Sequence, residues 1–146
     1  MNKSESAELI LRLYETRREP LMRDARNWVV SFFPNSTEDV MKAMINPETS
    51  GLLRMVISYW DMAASFVNHG AIDEEMFDEV HGEHIIVFSK IEPYLEDIRV
   101  AFSNPKFLLN LEKLIMRQPN AKEMLAGRRE MIKKMMAART EAAKNS

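Results

Sequence analysis

The sequence predicts an all-α protein, a single-domain bundle of six to seven helices. Apolar residues recur three and four positions apart along most of the chain, which places them on one face of each successive helix. The 146 residues include only four Gly and six Pro, too few for the many turns of a β sandwich. Because the chain has no cysteine, packing alone must hold the fold, and this composition favours a cytoplasmic protein.

The first third of the chain predicts two or three helices. The first should start near Ser4 or Ser6, where the apolar pattern begins. Pro20 either kinks this helix or begins a second one, because proline lacks the backbone N–H and disfavours helical geometry in the preceding residue. The pattern stops at Pro34. Polar side chains that can accept an unpaired N–H then precede a short helix predicted at about 38–45.

The most apolar segment, at about 51–68, is predicted to be the buried central helix. Its apolar residues cover nearly the whole circumference, which is typical of a helix enclosed by others. Gly70 should end it, since glycine readily adopts the left-handed conformation that turns the chain out of a helix. Asp73 is then expected to cap an acidic helix, whose first-turn carboxylates suit the positive end of the helix dipole.

The remaining segments predict a long helix at 85–102 that is kinked at Pro93, a helix from about 107 to 118, and a last helix at about 120–143. No linker or repeat interrupts the chain, so residues 1–146 are expected to form one domain. The window 52–67 is too short for a membrane span and contains Arg54 and Asp61, so no span is predicted.

The order of these landmarks resembles a family of uncharacterised small helical proteins from bacteria and their phages, known only as a domain of unknown function. The resemblance rests on LYETRREPLMRDARNWV, on SYWDMAASFVNHGAIDEEMFDEVHGE, and on IEPYLEDIR followed by FLLNLEKLI. The family's central turn is matched by Gly70, Ile72 and Asp73, and its later arginine by Arg99. Some relatives carry an N-terminal membrane helix that is not matched here. The resemblance implies the helical fold and brings no activity, cofactor or site residue.

One helical edge could carry metal ligands. Asp78, His81 and His84 are spaced three residues apart, as in carboxylate-bridged iron bundles, and would allow a metal-dependent enzyme. However, Gly82 falls inside the motif and the chain has only three histidines, too few for a second Glu-x-x-His pair. The favoured interpretation is therefore solvated residues at helix ends, with no metal and no cofactor.

A second candidate is Asp61, which lies on the most apolar helix. An unpaired buried carboxylate is costly, so we expect an ion pair with Arg54 or Arg99. A raised pKa and a catalytic role are the less favoured alternative. Aromatic residues at core spacing are expected to pack, or else to line a pocket between helices. They are Trp28, Tyr59, Trp60 and Phe66.

The last helix is the segment most suggestive of a partner. Residues 120–146 hold seven Lys or Arg and three Glu, a charge of +4, whereas thirteen against nineteen in the remainder give −6. A Met-rich stripe accompanies the charge, so this helix is expected to pack on its own domain, to protrude, to mediate self-association as a homodimer, or to bind in a groove of another protein. Its candidate partner-binding residues are Arg128, Arg129, Lys133 and Lys134.

These features favour a non-enzymatic interaction or scaffold module that self-associates through the last or the first helix. No Gly-rich phosphate loop and no strand-embedded nucleophile is found, which disfavours an enzyme. The alternative is an anionic partner, nucleic acid or a lipid surface, bound by the four basic residues. Nucleic acid is the weaker option because the acidic remainder repels phosphate.

Overall fold

The structure is a computed structural model, and it describes residues 2–145. These residues form an all-α fold, as predicted, but with nine α-helices rather than six or seven and with one 3₁₀-helix at Glu92–Tyr94. The α-helices are α1 Lys3–Arg17, α2 Pro20–Val30, α3 Thr37–Ile45, α4 Ser50–Asn68, α5 Glu74–Val80, α6 Glu83–Ile91, α7 Leu95–Ala101, α8 Leu109–Met116 and α9 Ala121–Lys144.

Proline and its neighbours account for two of the additional breaks. Pro20 occupies the first turn of α2, where its missing N–H is not needed, and the Glu19 carboxylate accepts the Met22 N–H at 3.0 Å. Pro20 therefore begins a new helix. The kink predicted at Pro93 is the 3₁₀-helix, which separates α6 from α7.

The central helix is α4, as predicted. It packs against α2, α3 and α8, and Trp60 at its centre is fully buried. The chain turns out of α4 at Gly70, just beyond the last helical residue. The φ of Gly70 is +79°, in the left-handed region. Asp73 then caps α5 by accepting the Met76 N–H at 3.0 Å. No helix within residues 2–145 has the length and apolar character needed to cross a bilayer.

Asp61 on α4 caps α8 from outside that helix. Leu108, the residue before α8, has a φ of +53° and supplies no side-chain cap. The Asp61 carboxylate instead accepts the Leu111 backbone N–H at 3.0 Å and the Asn110 side-chain amide at 3.2 Å. A carboxylate at a helix N-terminus satisfies an unpaired donor and suits the dipole.

The predicted ion pair of Asp61 with an arginine is therefore wrong. Arg54 donates to the Met44 carbonyl oxygen at 3.5 Å. Arg99 donates to the Phe107 carbonyl oxygen and pairs with Glu112, both at 3.0 Å. Arg99 thus fastens the connection between α7 and α8 to both of its neighbouring helices.

Only the first half of α9 packs on the rest of the chain. It lies against α6 and α8, and its buried residues are Ala121, Leu125 and Ile132. No residue from 133 to 145 is buried. Met131 and Met135 are 41% and 56% exposed, so the predicted Met-rich stripe is only partly used for packing within the chain.

Candidate functional site

The predicted metal edge is divided by Gly82. Asp78 lies on α5, which ends at Val80, His81 lies in the connection, and His84 is on α6. The three candidates therefore do not share one helix, and the single edge that their spacing would give on one helix is not formed. Within the part of the chain that the structure describes, no three His, Cys, Asp or Glu side chains form a group that could hold a metal ion.

The two histidines are buried, so their interpretation as solvated residues is also wrong. His81 is 8% exposed and its Nδ1 lies 3.0 Å from the Phe77 carbonyl oxygen. His84 is 1% exposed, and its Nδ1 has no hydrogen-bond partner among the described residues. Both rings lie against Phe77 and Trp60. The pair belongs to an aromatic cluster in the core.

Burial lowers the pKa of both imidazoles, because the charged form of a buried ring loses its hydration. Burial, followed by the charges of His81 and Arg128, lowers the pKa of His84 to about 3. Burial also lowers the pKa of His81, against an opposing contribution from its bond to Phe77. Both rings are thus held in the neutral form at neutral pH.

Asp78 lies in different surroundings. It lines an open acidic groove on α5 with Glu74, Glu75 and Glu79. Burial and the charge of Glu74 raise the pKa of Asp78, while Arg117 opposes the shift. Arg117 itself pairs with Glu74 at 2.7 Å. The charges that shift the pKa of Asp78 therefore come from outside the histidine cluster.

A polar cluster beside the histidines joins three helices. Glu83 on α6 accepts the indole N–H of Trp60 on α4 at 2.9 Å. The two carboxylate oxygens of Glu83 also share the Nε–H of Arg26 on α2, at 2.9 and 3.1 Å. The Arg17 guanidinium lies 5.5 Å from the Trp60 ring centroid. Sequence reasoning missed this cluster because its members are distant along the chain.

The other aromatic predictions have mixed outcomes. Tyr59 and Trp60 are buried, and the Tyr59 hydroxyl donates to the Leu13 carbonyl oxygen. Trp28 is half-buried, but Phe66 is 36% exposed and is not a core residue. Asp61 does line an open groove of about 520 Å³.

The four basic candidates on α9 do not form one surface. Arg129 is bound within the chain, since it donates to the Ser89 carbonyl oxygen at 2.8 Å and lies 3.8 Å from the Glu92 carboxylate. Arg128 is half-buried near His84. Only Lys133 and Lys134 are exposed. Binding of an anionic surface by all four together stays a prediction.

A half-enclosed cavity of about 130 Å³ lies beneath α9 and brings basic side chains together. Two of the basic candidates, Arg129 and Lys133, line it with Lys90 from α6. The other lining residues are Phe33, Pro34, Asn35, Pro93, Tyr94 and Ile132. We call this space the α9 cavity, and it is the candidate binding site of the molecule.

Lys90 is the residue of the α9 cavity that sequence reasoning missed. It is 5% exposed, and its Nζ donates to the carbonyl oxygens of Val29 at 2.6 Å and Val30 at 3.1 Å. These carbonyls are at the C-terminal end of α2, where a cation is favourable. Burial lowers the pKa of Lys90 to about 8. The available signal was a lone lysine within the apolar run of α6.

The comparisons with known proteins concern the body of the chain. A family model described as "Domain of unknown function (DUF4760)" matches residues 3–118. The match includes α1 to α8 and ends before α9. No curated protein and no solved structure shows a significant match.

Proposed function

The chain belongs to the DUF4760 family of domains of unknown function, and we propose that it is a non-enzymatic interaction module that self-associates through α9. The observation that carries the proposal is an apolar row on α9 that stays exposed within the single chain. Met131, Met135, Ala138 and Ala142 are all exposed. Their spacings of four, three and four residues are those of a coiled-coil seam.

The seam lies on a different side of α9 from the residues that are buried against the chain. Successive residues of an α-helix are rotated by about 100°, so Met135 lies about 60° and Met131 about 100° around the helix from buried Ile132. The seam therefore runs beside the face that packs on α6 and α8, and a second helix can approach it. Met131 and Met135 still expose 41% and 56% of their surface, so a partner that covered them would contribute about half of the roughly 1.5–3 kcal/mol gained when such a side chain is buried from full exposure.

A second copy in antiparallel orientation fits the sizes of the side chains. In that arrangement Met131 faces the partner's Ala142, and Met135 faces the partner's Ala138. Each layer then combines one large and one small residue, which allows the helices to interdigitate without voids. The two-fold axis repeats every layer, so the interface uses the same surface of both copies.

The flanking charges favour the same orientation. Lys134 and Glu141 occupy the positions on one side of the seam, and Arg139 lies on the other side. An antiparallel pair places Lys134 beside the partner's Glu141, twice by symmetry. A parallel pair would instead place Lys134 beside the partner's Arg139, where like charges repel.

The test is the mass of the full chain in solution, measured by light scattering across a range of protein concentrations. We expect twice the 17.0 kDa of one chain, with Met135→Glu reducing the mass to that of one chain. Ala137→Glu is the matched control, because it adds the same charge to an exposed position away from the seam. A wild-type mass of one chain at every concentration, or equal dissociation in both variants, would contradict the proposal.

The orientation has its own test. We expect Lys134→Glu and Glu141→Lys each to weaken the dimer, and the double variant to restore it, because the swap re-forms the same pair in an antiparallel seam. In a parallel seam, Lys134→Glu would create an attraction to the partner's Arg139 and strengthen the dimer. Strengthening by that single substitution would therefore exclude the antiparallel arrangement.

A further inference from the structure

We propose that the α9 cavity binds a small organic carboxylate, a ligand with one carboxylate and a short apolar group. Among the residues that line the cavity are three cationic side chains and no Asp or Glu. The ligand would therefore supply the negative charge that the lining lacks. The three cations are Lys90, Arg129 and Lys133.

Lys90 is the strongest argument for an anion. No ion pair of the described residues includes it, although it is 5% exposed. An ammonium has three donors, and the Val29 and Val30 carbonyl oxygens take two of them. A buried cation without an anionic partner is unfavourable, so a carboxylate nearby is stabilised by the charge.

The other two cations are held at the same cavity by α9. Arg129 is oriented by its bond to the Ser89 carbonyl oxygen, and Glu92 at 3.8 Å offsets part of its charge. Lys133 is exposed and pairs with no carboxylate among the described residues. The lining thus carries an excess of positive charge after Glu92 is counted, contributed from two different helices.

The rest of the lining selects the remainder of the ligand. Phe33, Tyr94 and Ile132 give the cavity an apolar wall, and the Phe33 ring centroid lies 4.5 Å from the Lys90 Nζ. An apolar group is therefore favoured next to the charge. The volume of about 130 Å³ is well below the roughly 300–1,000 Å³ of drug-sized sites, which excludes nucleotides and favours a ligand of few non-hydrogen atoms.

The experiment titrates the full chain with butyrate and follows chemical shifts and thermal unfolding at constant ionic strength. We expect saturable binding and a rise in the unfolding temperature, since a ligand that binds only the folded state stabilises it. Lys133→Gln should weaken butyrate binding by about tenfold, which corresponds to roughly 1.4 kcal/mol. Lys122→Gln is the matched control, because it removes the same charge from an exposed residue of α9 that lies outside both the cavity lining and the proposed seam.

Three results would overturn the proposal. The first is no saturable change up to about 10 mM butyrate, a concentration at which even millimolar affinity is visible. The second is an equal loss of binding in Lys133→Gln and Lys122→Gln, which would indicate general attraction to α9. The third is inorganic phosphate binding as tightly as butyrate, because the apolar wall would then contribute nothing.

Discussion

Acid should destabilise this protein through His84. The ring is 1% exposed in the aromatic cluster, and burial together with His81 and Arg128 lowers the pKa of His84 to about 3. In the unfolded chain the same imidazole has its ordinary pKa of 6.5. Between these two pKa values the ring is protonated in the unfolded state and neutral in the folded state. The free energy of unfolding therefore falls as the pH falls below about 6.5.

The size of the effect follows from the two pKa values. At about pH 5 a group with an unfolded pKa near 6.5 contributes roughly 2 kcal/mol in favour of unfolding, against about 0.2 kcal/mol near pH 7. For a chain of this length, a difference of about 2 kcal/mol lowers the unfolding temperature by roughly 6 °C. His84→Leu should remove this contribution, because leucine has a similar volume and no proton to bind.

The measurement is the free energy of unfolding from urea titrations of the wild type and His84→Leu, at about pH 7 and about pH 5. The quantity of interest is the change of each protein between the two pH values, since any packing cost of leucine cancels in that difference. We expect the wild type to lose about 2 kcal/mol more than the variant.

The other two histidines provide the expected residual pH dependence and the control for this test. Burial also lowers the pKa of His81, so His84→Leu should keep a smaller dependence of the same sign. His69 is exposed, and His69→Gln tests whether the loss of any histidine has the same effect. Identical pH dependence in the wild type and His84→Leu would falsify the assignment of His84 as a buried neutral ring.

Two further predictions concern Asp61 and Lys90. Asp61→Ala removes the external cap of α8 and should lower the free energy of unfolding in denaturant by about 1–2 kcal/mol. Asp61→Asn keeps an acceptor oxygen and should lower it less. Equal losses in the two variants would contradict the role of Asp61 as a cap. Burial lowers the pKa of Lys90 from 10.5 to about 8, so between those values the unfolded chain binds more protons and stability should rise with pH relative to Lys90→Met. The free energies of unfolding of the two proteins are measured in urea titrations. If the difference between them stayed constant from about pH 8 to pH 10, the assignment of a lowered pKa to Lys90 would be refuted.

The helices themselves could be predicted because their signals are local. Apolar spacing placed α4 within one residue of its observed start, and the side chain of Asp73 marked the start of α5. A helix forms bonds between residues four apart, so its sequence carries most of the information about its position. For the same reason, the sequence alone indicated that Gly82 and Pro93 interrupt the helical pattern.

The partners of buried polar groups could not be predicted in this way. The cost of burying Asp61 was evident, but its acceptor bonds go to Leu111 and Asn110, about fifty positions later in the chain. One of these donors is a backbone N–H, which every residue except proline carries, so no residue type identifies it. An arginine was the expected partner because only side chains can be recognised in a sequence.

By itself the sequence determined an all-α chain with a buried central helix and a basic last helix. The tertiary structure decided that α9 uses half of its length for packing and leaves the seam from Met131 to Ala142 exposed. It also decided that Lys90 from α6 meets Arg129 and Lys133 at one cavity. The division has a physical reason: periodicity determines which face of a helix is apolar, whereas only the crossing of helices determines what lies against that face.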